Sequence, residues 1–172
     1  MRDQLKRLLI ERSIERRRCI LACGMQSEFT IDCMPTILLP LGFELCGELM
    51  FDQCIKFIPD AVSGVELGGC PLASAVSVRS NQTVDSITAL YVRKTGAVEG
   101  LRSVPSGLRV VVVDDVLATG GSLLRAVSAL RVAGAVVVGA FVLVDREIGG
   151  RQAVESEGIR LVPIFTLSEL VA

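Results

Sequence analysis

The chain has no histidine. This excludes Ser-His and Cys-His nucleophilic machinery and histidine metal sites together. No Cys-x-x-Cys occurs, although six cysteines are present: Cys19, Cys23, Cys33, Cys46, Cys54 and Cys70. Several lie inside apolar runs, which reads as buried free thiols in a cytoplasmic protein. Long apolar segments are missing too. The longest uncharged run, Val132 to Val144, has 13 residues and two glycines, too short to cross a bilayer. The N-terminus alternates charge through Arg2, Asp3, Lys6 and Arg7 with no early apolar block, so no signal peptide is expected. There is no charge excess either. A net charge of −1 argues against a broad nucleic-acid surface. The basic cluster Arg16-Arg17-Arg18 reads as a solvated helix end. Internal repeats and linkers are absent.

What is present is enough apolar material for one substantial core: 172 residues, 51% apolar, with a mean hydropathy of +0.55. The stretch that organises it is Val110 to Ser122, VVVVDDVLATGGS. Four valines fit a strand buried on both faces of a parallel sheet. Asp114 and Asp115 then stand where that strand is expected to end. A small hydroxylated turn follows (Ala118, Thr119, Gly120, Gly121, Ser122), and Leu123, Val127 and Leu130 repeat at helical spacing. This order puts a phosphate-sized site at a helix N-terminus, where backbone N–H groups lack partners and the dipole favours negative charge. Glycines allow close backbone approach, and Thr119 and Ser122 add hydroxyl donors. The two carboxylates would repel a phosphate, so they face sugar hydroxyls or a metal-bound water. The turn lacks the Gly-Lys-Ser/Thr ending of a Walker loop, and it is not GxGxxG.

Around this stretch the pattern predicts a helix over 3–17 and a hairpin from Cys19 to Ala22 and Phe29 to Ile31, turning at Gly24. A helix follows over 41–50, starting at or near Pro40. Strands are expected at 60–65, 87–92, 108–113, 136–144 and 159–164. Helices are expected at 71–78, 121–132 and 150–157, with Gly134 ending the second of them and Thr166 capping a terminal turn. Alternating strands and helices imply an α/β fold, a doubly wound, mostly parallel sheet, over residues 56–172. Residues 1–55 are expected to form a small N-terminal helix and hood.

Ligands in such folds bind at the carboxyl ends of the strands. Three further pieces fall there. Ser63 to Gly69 is a second glycine-rich loop, either an anion nest for a diphosphate or a plain turn. Arg93-Lys94 is either a phosphate-binding pair or a solvated one. Asp145-Arg146 offers either a bidentate clamp for a planar carboxylate or a surface ion pair.

The central stretch closely resembles the phosphoribosyl diphosphate (PRPP) signature of the type I phosphoribosyltransferases. Nearly the whole chain looks like their orotate branch. Gly64 to Ala73 resembles the diphosphate loop and its helix. Val92-Arg93-Lys94 and Glu99-Gly100 resemble the ends of the mobile catalytic loop. Val144 to Glu147 resembles the segment whose arginine holds the orotate carboxylate, and Phe165 to Leu170 resembles the C-terminal ending. Gly24 to Asp32 resembles, more loosely, the hood over the base.

The resemblance implies PRPP binding by Glu66, Leu67, Gly68, Gly69, Arg93, Lys94, Asp114, Asp115, Ala118, Thr119, Gly120, Gly121 and Ser122. Asp114, Asp115 and Lys94 are implied as catalytic residues, and Arg146, Thr119 and Phe29 as base-binding ones. It also implies Mg²⁺ held mainly by substrate, with no direct protein ligands. A homodimer is implied in which Arg93 and Lys94 act in trans.

Two departures stand out. After Lys94 the family carries a further lysine and a His-Gly pair. Here Thr95-Gly96-Ala97-Val98-Glu99-Gly100 follows, so the loop looks shortened. In the hood, Ala22, Met25 and Gln26 stand where a lysine or arginine is common. Losing one charge-stabilising donor typically costs about 10²–10³ in rate, which points to a slow or redirected enzyme. Three readings therefore stand together: transfer of phosphoribosyl to orotate, transfer to another base, and a non-catalytic PRPP or nucleotide sensor.

Overall fold

Along Val110–Val113 successive side chains enter two different cores, as alternation in a strand requires. Val111 and Val113 pack with Leu5, Leu9, Leu45, Phe51, Leu72 and Phe141. Val110 and Val112 pack with Leu90, Leu123, Val127, Leu130 and Val142. All four valines are fully buried, each contributing about 1.5–3 kcal/mol of transfer free energy. A strand loaded on both faces needs helices on both sides, and the chain supplies them.

The computed structural model describes residues 1–21, 24–83 and 86–172. In chain order it contains α1 (Arg2–Arg12), β1 (Ile14–Ile20), β2 (Gln26–Ile31), α2 (Met34–Ile37) and α3 (Pro40–Cys54). These are followed by β3 (Ala61–Val65), α4 (Gly69–Ser80), β4 (Thr88–Val92), β5 (Val98–Glu99) and β6 (Arg109–Leu117). The chain ends with α5 (Gly121–Val132), β7 (Val136–Asp145), α6 (Gly150–Ser156), β8 (Leu161–Thr166) and α7 (Leu167–Val171). The main sheet has the order β5-β4-β3-β6-β7-β8. Its pairs are parallel except β4–β5, so the expected doubly wound, mostly parallel sheet is present. Helices α1, α3, α4 and α7 cover one face, and α5 and α6 cover the other. β1 and β2 form a separate antiparallel hairpin. Among the described residues no helix is long and apolar enough to cross a membrane.

Three local expectations are corrected. The first helix ends at Arg12, not at residue 17. Ser13 is buried, and its hydroxyl lies 2.7 Å from the Thr36 hydroxyl. Its carbonyl accepts from Asp32 N–H at 2.9 Å, and Ile14 then pairs with Ile31. Strand pairing therefore overrides the local helical pattern, and Arg16-Arg17-Arg18 lies exposed on β1 instead of at a helix end. Secondly, β6 does not stop before the acidic pair. It runs on to Leu117 because β7 continues beside it, with Asp114 opposite Val142 and Val116 opposite Val144. β3 stops pairing at Val113, so the acidic pair occupies the stretch where β6 has a neighbour on one side only. Thirdly, Arg93–Ala97 is a tight turn of a β4–β5 hairpin, closed by Arg93 N–H to Ala97 O at 2.9 Å.

Elsewhere the pattern holds. Gly134, at φ +97°, ends α5, with Ala135 N–H donating to Leu130 O at 3.0 Å. The Thr166 hydroxyl caps α7 by accepting from Glu169 N–H at 3.3 Å. Cys33, Cys46 and Cys54 are buried free thiols, while Cys19 and Cys70 are half-buried ones. Ala22 and Cys23, assigned above to the hairpin, lie outside the described residues.

Candidate active site

The carboxyl ends of β3, β6 and β7 form one edge of the sheet, and the predicted groups gather there. Asp114 is 6% exposed. Its carboxylate accepts from the Ser122 hydroxyl at 3.1 Å and from Asp115 N–H at 3.0 Å. The Asp115 carboxylate accepts from Val116 N–H at 2.8 Å. The acidic strand end and the start of α5 are thus joined into one turn. Burial, then the Asp115 charge, pushes the Asp114 carboxyl well above its usual range. Burial pushes Asp115 the same way. Two desolvated carboxylates with no ion pair among the described residues are suited to donors such as hydroxyls or to a positive ion.

The turn Ala118–Ser122 lines a cleft of about 300 Å³ together with Leu21, Val116 and Arg125. Gly120 takes φ +85° at the helix cap, a conformation that glycine adopts without strain. Behind it the first amides of α5 lack intrahelical acceptors. The turn thus brings the start of α5 and the residues Thr119 to Ser122 to one cavity, with the Ser122 hydroxyl donated to Asp114.

The second glycine loop meets the acidic pair directly. A Cβ added at Gly68 would lie within 2.4 Å of all three Asp115 carboxylate atoms, and one at Gly69 would lie 2.3 Å from Val113 O. The peptide between Glu66 and Leu67 is cis. Leu67 is 63% exposed. The Glu66 carboxylate accepts from Lys94 N–H at 2.8 Å, which ties the β4–β5 turn to the loop. Glu66, Arg93, Lys94, Ser122 and Arg125 share a second cleft of about 380 Å³. Arg93 makes only a loose pair with Glu99, at 3.6 Å, with both side chains more than half exposed.

Arg146 is 7% exposed and is not in a surface ion pair. Its Nη2 donates to the Ser27 hydroxyl at 2.8 Å and to Phe29 O at 2.7 Å, so the guanidinium fastens the β1–β2 hairpin to the end of β7. Ser27 also braces Phe29, accepting from its N–H at 3.1 Å and donating to its carbonyl at 2.9 Å. Phe29 enters the site through its carbonyl. Neighbouring Asp145 is taken up locally by Glu147 N–H at 2.8 Å.

Sequence reasoning missed two residues. Ser27 carries no motif and acquires its role only when the hairpin folds over Arg146. Arg125 had a readable signal: a cation in the first turns of a helix that follows an anion-binding turn. Thr119 lines the turn's cleft, but no hydrogen bond fixes its hydroxyl among the described residues.

Comparison with known proteins agrees with this geometry. Residues 44–157 match the phosphoribosyl transferase domain. The orotate phosphoribosyltransferase of Sorangium cellulosum is 46% identical over 179 residues, covering 99% of this chain and 93% of that protein. That of Aquifex aeolicus is 38% identical over 178 residues, covering 99% and 97%. Among solved structures, Mycobacterium tuberculosis orotate phosphoribosyltransferase in complex with PRPP superposes with a TM-score of 0.84 at 33% identity, covering 99% of each chain.

Proposed function

The chain belongs to the phosphoribosyl transferase domain family, and from that premise we propose that it transfers the phosphoribosyl group of PRPP to orotate. The products are orotidine 5′-monophosphate and diphosphate. The bond from C1 of the ribose to the diphosphate oxygen breaks, and a bond from C1 to the ring nitrogen forms. No protein nucleophile is required, which suits a chain without histidine. The observation that carries the orotate reading is Arg146. It places a buried guanidinium beside the hood carbonyl of Phe29, at the end of the strand next to the acidic pair. A planar carboxylate-bearing base fits a guanidinium fork.

The chain's own groups then divide the work. Thr119 to Ser122 and the α5 amides hold the 5′-phosphate, and Asp114 and Asp115 accept from the ribose hydroxyls. The backbone of Leu67 to Gly69 holds the diphosphate, and Arg93 and Lys94 neutralise it as it leaves. This is catalysis by positioning and charge stabilisation. Among the described residues no cluster of three or more ligating side chains could hold a metal by itself. The two adjacent carboxylates instead suit a divalent ion that the substrate would hold, with Asp114 and Asp115 near it and no direct protein ligand. When bound, Mg²⁺ would neutralise the diphosphate and its developing charge. The same reading gives a homodimer whose β4–β5 turn serves the neighbouring site.

The test follows loss of orotate absorbance with PRPP and Mg²⁺, with PRPP binding measured by calorimetry on the same sample. Turnover is expected. Arg146→Ala should raise the orotate KM by about 10-fold or more, as loss of a charge-assisted contact does, and leave PRPP affinity unchanged. Equal loss of both would remove Arg146 from base recognition. Tight PRPP binding without turnover on orotate would move the protein to another base or to a sensor.

A further inference from the structure

One charged group in the site has no assigned work. Arg125 is exposed on α5 and lines both clefts, that of the phosphate turn and that of the β4–β5 turn. Its Nη1 lies 3.5 Å from where a Cβ on Gly121 would stand, so the guanidinium hangs over the glycine turn. No hydrogen bond or ion pair holds it among the described residues. Glu66, the acidic residue of the shared cleft, is engaged with Lys94 N–H.

The placement is electrostatically adverse by itself. Arg125 is the fifth residue of α5, near the positive end of the helix dipole, where cations are disfavoured. The α5 amides and the Arg125 guanidinium point positive charge into one small cavity. An anion in that cavity would reverse the sign of the interaction, because it would be shared by the amides and the guanidinium.

We propose that Arg125 is a further phosphate-binding residue, gripping the 5′-phosphate of PRPP from this chain's own helix. This rests on the PRPP reading of the site. The 5′-phosphate is chosen over the diphosphate because the guanidinium overhangs Gly121, within the turn that holds the former. Arg125 therefore acts on binding more than on bond breaking. Its loss should raise the PRPP KM more than it lowers kcat.

The experiment titrates ribose 5-phosphate, which carries only the 5′-phosphate, and inorganic diphosphate separately. Wild-type protein is compared with Arg125→Gln and Arg125→Lys, and PRPP kinetics are run on all three. Arg125→Gln should weaken ribose 5-phosphate by about 10-fold, the scale of one charge-assisted hydrogen bond. Diphosphate affinity should be unchanged, and Arg125→Lys should recover part of the loss. Thermal unfolding of Arg125→Gln should match wild type, since the side chain has no partner to lose. Unchanged ribose 5-phosphate affinity in Arg125→Gln would overturn the proposal. A loss confined to diphosphate would overturn it too, and so would a wild-type protein that binds no ribose 5-phosphate. Failure of the orotate reading shows separately, as wild-type protein that binds ribose 5-phosphate without turning over orotate.

Discussion

At the scale of single residues, the most consequential choice is two adjacent carboxylates at the end of a buried strand. Asp114 is buried with one hydroxyl and one amide donating to it and the Asp115 carboxylate beside it. Its carboxyl is pushed from 3.8 to about 8 by burial first and the Asp115 charge second. A carboxyl raised in the folded state binds a proton that the unfolded chain has released. Its contribution is therefore fully present below the unfolded value and is lost as pH rises through the folded one. The window runs from the ordinary carboxylate value of 3.8 to about 8. Free of ligand, the protein should lose thermal stability across that window. Asp114→Asn removes the ionisation and keeps the shape. It should melt above wild type near pH 8, with the gap closing toward about pH 4, while PRPP binding is lost. Melting curves of the two proteins at several pH values check this. A constant gap would mean that the pair's ionisation does not limit stability. The strain sits at the site because the ligand needs charge where folding alone does not.

At the scale of elements, the diphosphate loop and β6 are fitted to each other, and Gly68 is the point of contact. A side chain there would run into the Asp115 carboxylate, within 2.4 Å of every atom of it. Gly68→Ala should destabilise by about 1–3 kcal/mol, the usual cost of overpacking, and should abolish PRPP binding. Because the clash is with the carboxylate, Gly68→Ala/Asp115→Ala should regain most of the stability and none of the binding. A thermal-unfolding double-mutant cycle reads the coupling, and additive effects would show that the loop moves aside instead. The sequence alone exposed neither this fit nor the run of β6 past Asp114. Glycine has no side chain to pattern, and strand length here depends on β7, distant in the chain. The β1 strand was hidden for a related reason. Its register shifts between Arg16 and Cys19, so strict alternation is broken and the charges mimic a helix end. By contrast, Val110–Ser122 was legible because local pattern, turn chemistry and helix onset agree within one short stretch. Arg146 was readable as a functional cation, but its bond to the hood was not, because Ser27 lies 119 positions away.

At the scale of the whole molecule, the proposed homodimer is tested by which site the β4–β5 turn serves. Its five residues, Arg93–Ala97, reach roughly 9 Å beyond the strands at full extension. The turn is placed by backbone bonds, Lys94 N–H to Glu66 at 2.8 Å and Arg93 N–H to Ala97 O at 2.9 Å. The Arg93 side chain is exposed and only loosely paired with Glu99. Mixed dimers test whether both cations serve the neighbouring site, as proposed. Arg93→Ala protein combined with Asp115→Asn protein leaves, in each heterodimer, one site with an intact acidic pair facing an intact Arg93. With random pairing, activity should return to about a quarter of wild type, as closed two-fold symmetry dictates. Lys94→Ala combined with Asp115→Asn should recover to the same level, since the turn carries both cations to the neighbouring site. Orotate turnover before and after subunit exchange measures both. No recovery in the lysine pairing alone would return Lys94 to the subunit that carries it. No recovery in either would confine the turn to its own site and leave each subunit of the dimer catalytically complete.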